Sequence, residues 1–219
     1  MMDSKKILLI DLAKGKIGEE NSNFLGLILV PKILSAALAR HTLIGREEFP
    51  NFYLYVDEFQ NFATPDFATI LSEARKYKLN LIVAHQFVAQ LEDDIKDAIF
   101  GNVGTMCVFR VGADDAEYLE THFDPVFTKR DLINLPIGSC YTRLLVDGHP
   151  TPPFSMKVDW EAINAEPKNP QVAENIRQLS RMKYGVPVEE VEQYINTRAG
   201  FNEPEIPAIP NLNKPRIPF

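Results

Sequence analysis

Short apolar runs alternate with helix-length segments over the first half of the chain. The runs are Lys5–Leu12, Phe52–Val56, Leu79–Gln86 and Gly104–Val111. They are nearly continuously apolar, which is typical of strands that are buried on both faces of a sheet. Helical patterns between and after the runs complete a strand–helix alternation. The pattern predicts an α/β fold with a mostly parallel sheet and helices on its faces.

Proline residues mark the predicted helices. The segment from about Asn21 to Arg40 is helical in length, and Pro31 inside it predicts a kink or a division into two helices. Pro65 predicts the first turn of a helix that runs to about Lys78, because proline is tolerated at that position. Further helices are predicted over residues 88–100, over 114–122 and from near Thr128.

The last third of the chain shows different signals. Asp147-Gly148 lies between two β-like runs and predicts a β-hairpin. The stretches NPQVAENIRQLSRMKYG and VPVEEVEQYINTR predict two short helices, and the proline-rich NEPEIPAIPNLNKPRIPF predicts an extended or disordered tail. We therefore predict a main domain over 1–160, a short helical appendage over 161–200 and a tail over 201–219.

Polar side chains follow the predicted strands at the points where the strands end. Asp11 ends the first run, Asp57 and Glu58 follow the second, and Gln86 and Arg110 lie at the ends of the third and fourth. The carboxyl ends of parallel strands meet at one edge of a sheet, where α/β proteins bind their ligands. These side chains are therefore expected along one shared edge.

The stretch NFYLYVDEFQNF places two adjacent carboxylates straight after a strand. Four apolar or aromatic residues followed by Asp-Glu form the Walker B pattern of nucleotide-hydrolysing motors. In that mechanism Asp57 holds the water shell of a Mg²⁺ ion bound to the β- and γ-phosphates. Glu58 polarises the attacking water. The alternative is structural: Asp57 caps the following loop and Glu58 is solvated.

Gln86 changes the balance between these alternatives. It follows the strand next to the one that carries Asp57, so its amide can sense the γ-phosphate or orient water. Taken singly, Gln86 is better explained as a residue that satisfies backbone groups at the start of a helix. Taken together with Asp57 and Glu58, it favours a nucleotide site.

These stretches resemble a known family. LYVDEFQNFATPDFATILSEARKYKLNLIVAHQFVAQL is similar to the C-terminal half of the motor domain of TraD/TraG-type conjugative DNA-transfer (type IV secretion) coupling ATPases. That family belongs to the HerA/FtsK-like group of hexameric DNA pumps, whose motor has a RecA-like (P-loop NTPase type) fold. The resemblance covers roughly Lys5 to Val158. It implies ATP and Mg²⁺ as cofactors, DNA as a partner and a hexameric ring in the full protein.

The resemblance also implies a role for each matching residue. Asp57 takes the metal role through water, Glu58 the water-activating role and Gln86 the sensor role. Arg75, in EARKYKL, matches the arginine finger that reaches a neighbouring subunit's nucleotide. The alternative for Arg75 is a solvated basic helix end that complements the helix dipole. Arg110 is a weaker candidate for the same role and is expected to pair with a nearby acid such as Asp114 or Asp115.

The sequence departs from the family at the phosphate site. The family carries a loop of the form G-x-x-x-x-G-K-[ST], and this chain has none, since AKGKIGEEN has the wrong spacing. Two explanations stay open: the chain is part of a longer motor, or it is a stand-alone domain that has lost hydrolysis. In either case an exposed sheet edge predicts self-association or a partner that carries the missing, P-loop-bearing half.

Composition excludes several other classes of function. A net charge of −7 argues against a self-sufficient, non-specific nucleic-acid binder. Cys107 and Cys140 have no metal-ligand spacing and indicate a reducing compartment. We expect no apolar stretch of the roughly 18–20 residues that a membrane span needs. The expected location is therefore cytoplasmic, with the inner membrane face reached through partners or a missing N-terminal part.

Two functions follow from the sequence. The favoured one is part of an ATP-driven DNA-translocating motor, which this chain alone is not expected to run because it lacks the phosphate loop. The alternative is a non-catalytic interaction module of the same fold that binds motor subunits or a secretion or relaxase partner.

Overall fold

The computed structural model describes residues 2–42, 49–63 and 73–201. The chain divides into two units, Met1–Val158 and Asp159–Phe219. The helices are α1 (Lys14–Ile17), α2 (Glu19–Leu38), α3 (Asp93–Asn102), α4 (Ala113–Phe123), α5 (Lys129–Ile133), α6 (Trp160–Ala165), α7 (Pro170–Tyr184) and α8 (Val188–Ala199). The strands are β1 (Phe52–Val56), β2 (Leu79–Val83), β3 (Met106–Val108), β4 (Ser139–Arg143), β5 (Leu145–Val146), β6 (His149–Pro150) and β7 (Phe154–Lys157). Short 3-10 turns lie at Met2–Ser4, Ala39–Thr42, Phe59–Asn61, Ala74–Tyr77 and Val88–Gln90.

The predicted α/β class is confirmed by a parallel pair of strands with flanking helices. Strands β1 and β2 are parallel, with Phe52 opposite Leu79 and Val56 opposite Val83. On one face of the pair, Phe52 and Leu54 pack against a core to which α2 contributes Val30 and Leu34. Apolar side chains leave water on this face, and that burial is the main force that holds the helix to the strands.

The opposite face of β1 is exposed. Tyr53 keeps 55% and Tyr55 73% of its surface accessible. Both faces of a parallel sheet are normally covered by other elements. The exposed face with Tyr53 and Tyr55 is therefore a surface of the kind that another element covers.

Helix α2 is continuous through Pro31, so of the two predicted alternatives, a kink or a division, the division into two helices is wrong. A proline removes one backbone hydrogen bond, and the packing of Val30 and Leu34 in the core holds the helix together across that gap. Among the described helices, the segment Glu19–Thr42 is long and apolar enough to cross a membrane by length and composition, which the sequence expectation missed. A core helix of a soluble protein meets the same criterion, and the finding assigns no membrane role.

The predicted first strand is not formed. Lys5–Leu12 has no regular structure, and Ile7 and Leu9 are 89% and 84% exposed. The segment is fixed instead at its ends, because Met2 enters the core and the Leu12 carbonyl accepts a hydrogen bond from Ser22 Oγ at 2.6 Å. A strand requires a neighbour for its backbone groups, and the described residues provide none here.

The fourth predicted strand is formed as β3, but it belongs to a different sheet from β1 and β2. Strand β3 pairs antiparallel with β4, with Cys107 opposite Thr142. Strand β4 in turn pairs antiparallel with β7, in the order β3-β4-β7. The apolar pattern of β3 identified a strand correctly, but such a pattern carries no information about the direction of the partner strand.

Local predictions with a turn or capping signal are confirmed. Strands β5 and β6 form the predicted hairpin, and Asp147 and Gly148 adopt φ values of 49° and 81° at its turn. Helix α5 begins directly after Thr128, with a capping box in which Asp131 accepts from the Thr128 backbone N–H. Both signals act over a few residues and depend little on the remaining fold.

The regular structure in the described part of the second unit consists of helices. Helix α6 begins after Asp159, whose side chain accepts from the Ala162 N–H, and α7 begins after Asn169, whose side chain accepts from the Val172 N–H. The two short helices predicted here are confirmed as α7 and α8. None of the residues in α6, α7 or α8 is buried. The predicted tail, apart from Phe201, lies outside the described residues.

Candidate active site

The chain turns sharply where β1 ends. Asp57 follows the buried Val56, and Glu58 adopts a left-handed backbone conformation with φ 50° and ψ 44°. Non-glycine residues rarely adopt this conformation, and it persists only when the surrounding structure holds it in place. Phe59 provides that hold, since its side chain is fully buried and its N–H donates to the Ala84 carbonyl at 3.0 Å.

The Glu58 carboxylate is held by two amides. Gln86 Nε2 donates to Glu58 Oε1, and Gln60 Nε2 donates to Glu58 Oε2 at 2.6 Å. The Asp57 carboxylate lies beside this group and accepts from the Glu58 N–H at 2.9 Å. The structure therefore brings Asp57, Glu58 and Gln86 together at the carboxyl ends of the two parallel strands. A carboxylate oxygen that accepts one hydrogen bond retains a second lone pair, with which it can bind water or a hydrated ion.

Gln60 is the site residue that sequence reasoning missed. The 3-10 turn Phe59–Asn61 folds the chain back, so a side chain two residues after Glu58 reaches the same carboxylate. Its Oε1 atom is buried and has no hydrogen-bond partner among the described residues. The signal in the sequence was the Gln directly after Asp-Glu-Phe, which became informative only once the turn was known.

Lys14 is a second residue near this turn. Its ammonium group lies 2.7 Å from Glu19 Oε1 and 3.5 Å from Asn61 Oδ1, at the end of the turn that carries Gln60. AKGKIGEEN lacks the phosphate-loop spacing, yet the structure brings one of its lysines to the turn that follows Glu58. The lysine thus lies beside the segment that directly follows the two carboxylates, with its charge balanced by Glu19.

Arg75 lies at the other end of the sheet. It is exposed in the 3-10 turn Ala74–Tyr77, directly before β2, whereas Gln86 follows β2. Because β2 has five residues, the two ends are about 17 Å apart at roughly 3.3 Å per residue. Within one chain, Arg75 is not brought to the carboxylates. Most of the helix predicted from Pro65 lies outside the described residues.

The other two polar residues of the predicted edge are elsewhere. Asp11 follows no strand and forms an ion pair with Lys16. Arg110 comes after β3, which belongs to the antiparallel sheet, and it forms no ion pair with Asp114 or Asp115 in the described part of the chain. Asp115 is buried and accepts from the Ala89 N–H at 3.0 Å, so it joins α4 to the segment after β2.

No metal site is formed by the protein alone within the described ranges, since no group of three or more His, Cys, Asp or Glu side chains converges there. This does not conflict with the donor set at Asp57 and Glu58. A magnesium ion that is bound mainly by phosphate oxygens and water needs only one or two carboxylates from the protein.

Comparison with known proteins finds a family model that matches part of the chain. Residues 51–121 match the family model TraG-D_C, described as the TraM recognition site of TraD and TraG. This segment is similar to that family. The resemblance predicted from the sequence is thereby confirmed for a region that includes Asp57, Glu58, Arg75 and Gln86, although the match assigns no role to any of them. No curated protein matches the chain.

Solved structures of conjugation proteins are similar to part of the chain. The unbound monoclinic form of the bacterial conjugative coupling protein TrwBdeltaN70 is 14% identical with a TM-score of 0.46, and the plasmid coupling protein TrwB in complex with the non-hydrolysable GTP analogue GDPNP is 16% identical with a TM-score of 0.48. Both likenesses cover 64% of this chain and 39% of the other. VirB4 of Thermoanaerobacter pseudethanolicus is 23% identical over 58% of this chain and 35% of its own, with a TM-score of 0.41. The chain thus spans well under half the length of these proteins.

Proposed function

We propose that this chain is part of an ATP-driven, DNA-translocating motor of the conjugative coupling type. The proposal depends on the conformation and contacts of Glu58. Its backbone is left-handed, and its carboxylate accepts a hydrogen bond from Gln86 at the end of the neighbouring parallel strand. A strained acidic residue at the carboxyl end of a parallel pair suggests a catalytic position rather than a solvated one.

Each site residue has a distinct part in the proposed reaction. Asp57 would hold the water shell of Mg²⁺, and Glu58 would polarise the water for in-line attack on the γ-phosphate. Gln86 links the Glu58 carboxylate to the end of the next strand and senses the phosphate. Gln60 positions Glu58 from the other side. The bound ion supplies charge stabilisation for the phosphoryl transfer.

Arg75 is proposed to act in a neighbouring subunit. Its position at the amino end of the parallel pair is too far from Glu58 of the same chain to touch the same phosphate. An arginine finger that is supplied by the next subunit of a ring needs only to be exposed, as Arg75 is. The full motor would act as a hexameric ring on DNA in the cytoplasm, at the inner membrane face.

The triphosphate cradle must come from a P-loop that this sequence lacks. In the proposed motor, a longer protein binds the nucleotide at the edge that carries Asp57 and Glu58, and TrwB, a coupling protein, has been solved with the nucleotide analogue GDPNP. Lys14 lies near that edge in an ion pair with Glu19 and does not replace the backbone cradle of a phosphate loop.

Nucleotide binding and hydrolysis test the proposal. Calorimetry with ATP, with and without Mg²⁺, should show little binding to this chain and strong, Mg²⁺-dependent binding to a longer protein that joins it to a P-loop-bearing half. In the longer protein, Glu58→Gln should reduce hydrolysis by at least about 10²-fold while binding persists. Glu92→Gln, an exposed acid at the start of α3, is the matched control and should leave both unchanged. Robust hydrolysis by the lone chain would contradict the proposed division of the site.

A second candidate function has support from the family description. The matched family is the TraM recognition site of TraD and TraG, so the segment 51–121 would bind a TraM-like protein in conjugation. Calorimetric titration with such a protein tests this reading. If binding survives Glu58→Gln and the longer protein fails to hydrolyse ATP, the chain is an interaction module rather than part of a motor.

A further inference from the structure

Helices α7 and α8 each carry an apolar stripe that is exposed. On α7 the stripe is Val172, Ile176 and Leu179, at spacings of four and three residues; on α8 it is Val188, Val191 and Ile195, at spacings of three and four. Val191 is the least exposed of the six and still keeps 40% of its surface accessible. A stripe at this spacing is the seam that helices use to pack against one another.

One charged residue of opposite sign continues each stripe. Lys183 follows Leu179 by four residues on α7, and Glu192 lies three residues before Ile195 on α8. Neither forms an ion pair in the described part of the chain. The helices as wholes are also complementary, since α7 has three basic residues and one acidic, and α8 has three acidic and one basic. Opposite charges on two helix faces favour their pairing and set its register.

The two stripes are not covered within the chain. The link residues Gly185 (φ −80°, ψ 149°) and Pro187 (φ −53°, ψ 140°) are both extended, and no residue of α7 or α8 is buried. The surface that complements each stripe is therefore present in the same sequence but not paired within the chain.

We infer that α7 of one copy of this chain packs against α8 of a second copy, and that α8 of the first packs against α7 of the second. An antiparallel register with Lys183 opposite Glu192 places Leu179 opposite Asn196, beside Ile195, and Ile176 opposite Ala199. Because both copies contribute the same pair of surfaces, the contact is two-fold symmetric and closes as a dimer. This dimer contact is independent of the proposed nucleotide site and is a separate contact from those between neighbours in the proposed ring, which are head-to-tail.

Sedimentation velocity of the full chain over a range of concentrations tests the inference. The chain should show a concentration-dependent dimer. Leu179→Asp, which places a charge in the seam, should raise the dimer dissociation constant by about tenfold or more, because that charge would be buried without a partner. Gln178→Asp adds the same charge one residue away, outside the apolar stripe, and should leave the dissociation constant within about twofold.

A charge exchange between two copies tests whether the partner of each stripe is a second copy of this chain. Lys183→Glu places like charges at both contacts of its own dimer, and Glu192→Lys does the same with the opposite sign. Each variant alone should therefore sediment as a monomer. An equimolar mixture should form a heterodimer, since the new glutamate of the first variant then meets the new lysine of the second, and the wild-type pair is kept at the other contact.

Three results would overturn the inference. A wild-type chain that is monomeric at all concentrations would exclude the contact. A dimer that persists in Leu179→Asp would lie on another surface. The third result is that α7 and α8 pack against each other within one chain. In that case the two charge variants would stay monomeric when mixed, and the double variant Lys183→Glu/Glu192→Lys would recover the helicity lost in the single variants. Circular dichroism of each single variant shows whether its helices remain folded.

Discussion

The two units of this protein have similar local signals but different burial. The first unit has a core in which Phe59, Leu34 and Ile95 are almost fully enclosed. The helices of the second unit have capping residues and regular apolar spacing, yet they bury no residue. Caps and apolar periodicity can therefore favour a helix without supplying a core. The free energy that fixes how helices are arranged must come from packing.

The difference has a consequence for stability. Helix α7 has 15 residues and α8 has 12, which is the length at which isolated helices are marginal in water, about 12–15 residues. The first unit should unfold cooperatively through loss of its core. The helices of the second unit should become more stable when another surface packs against them.

Removal of Phe59 should have the largest effect. Phe59→Ala empties the centre of the first core and is expected to cost about 3–5 kcal/mol of its free energy of unfolding. Phe201→Ala removes the same atoms from a side chain that is 75% exposed, and it should change stability by less than about 0.5 kcal/mol. Urea unfolding followed by far-ultraviolet circular dichroism measures both. Equal losses would show that the two units do not differ in the way described.

Loss of the buried Asp115 carboxylate should come next. Its Oδ1 accepts from the Ala89 N–H at 3.0 Å, and Asp115→Ala leaves that donor unsatisfied in the interior. The expected cost is about 1–3 kcal/mol in urea unfolding. Asp114→Ala changes an exposed neighbour on the same helix and should be close to neutral. A neutral Asp115→Ala would mean that water replaces the carboxylate.

The elements of the first unit that depend on nearby residues were mostly predictable from the sequence. Strands β1 and β2, helices α4 and α5 and the β5–β6 hairpin are formed by signals within a few residues of each element. The failures concern pairing over longer distances. Lys5–Leu12 and β3 have the apolar content of buried strands, but whether a strand finds a partner, and in which direction, depends on residues far along the chain.

The candidate site follows the same division. The position of Asp57, Glu58 and Gln86 at the ends of neighbouring strands could be predicted from the pattern, because parallel strands have a fixed polarity. The contact from Gln60 could not, since it depends on the left-handed conformation of Glu58 and the turn that follows it. Arg75 lies far from the carboxylates because it precedes β2, whereas Gln86 follows it. The family resemblance implied that Arg75 acts on a neighbouring subunit, and so it predicted no distance within one chain.

Loss of a helix cap should have a smaller effect, confined to the second unit. Asn169→Ala removes the side chain that accepts from the Val172 N–H at 3.1 Å, and it should cost about 1 kcal/mol of local helix stability. Asn196→Ala replaces an exposed asparagine inside α8 with a better helix former and should act in the opposite direction. Far-ultraviolet dichroism of the full chain should show a loss of helix for the first variant and a slight gain for the second, with the urea midpoint of the first unit unchanged in both.

The smallest predicted effect is a pH dependence that belongs to the first unit alone. Burial, followed by the nearby Arg143 guanidinium, lowers the pKa of His122 below its ordinary value of 6.5. The folded state therefore holds fewer protons than the unfolded state, so stability is fully present above about pH 6.5 and falls as the pH drops from there toward the lowered pKa. The ring centroids of His122 and Phe100 are 5.2 Å apart in a stacked arrangement. His122→Phe keeps an aromatic ring at this position and should remove this part of the pH dependence. His149→Phe, at an exposed position in the β5–β6 hairpin, should retain it. Urea midpoints measured between pH 5 and 8 distinguish the two variants, and the same acid loss in His122→Phe as in the wild type would assign it to other groups.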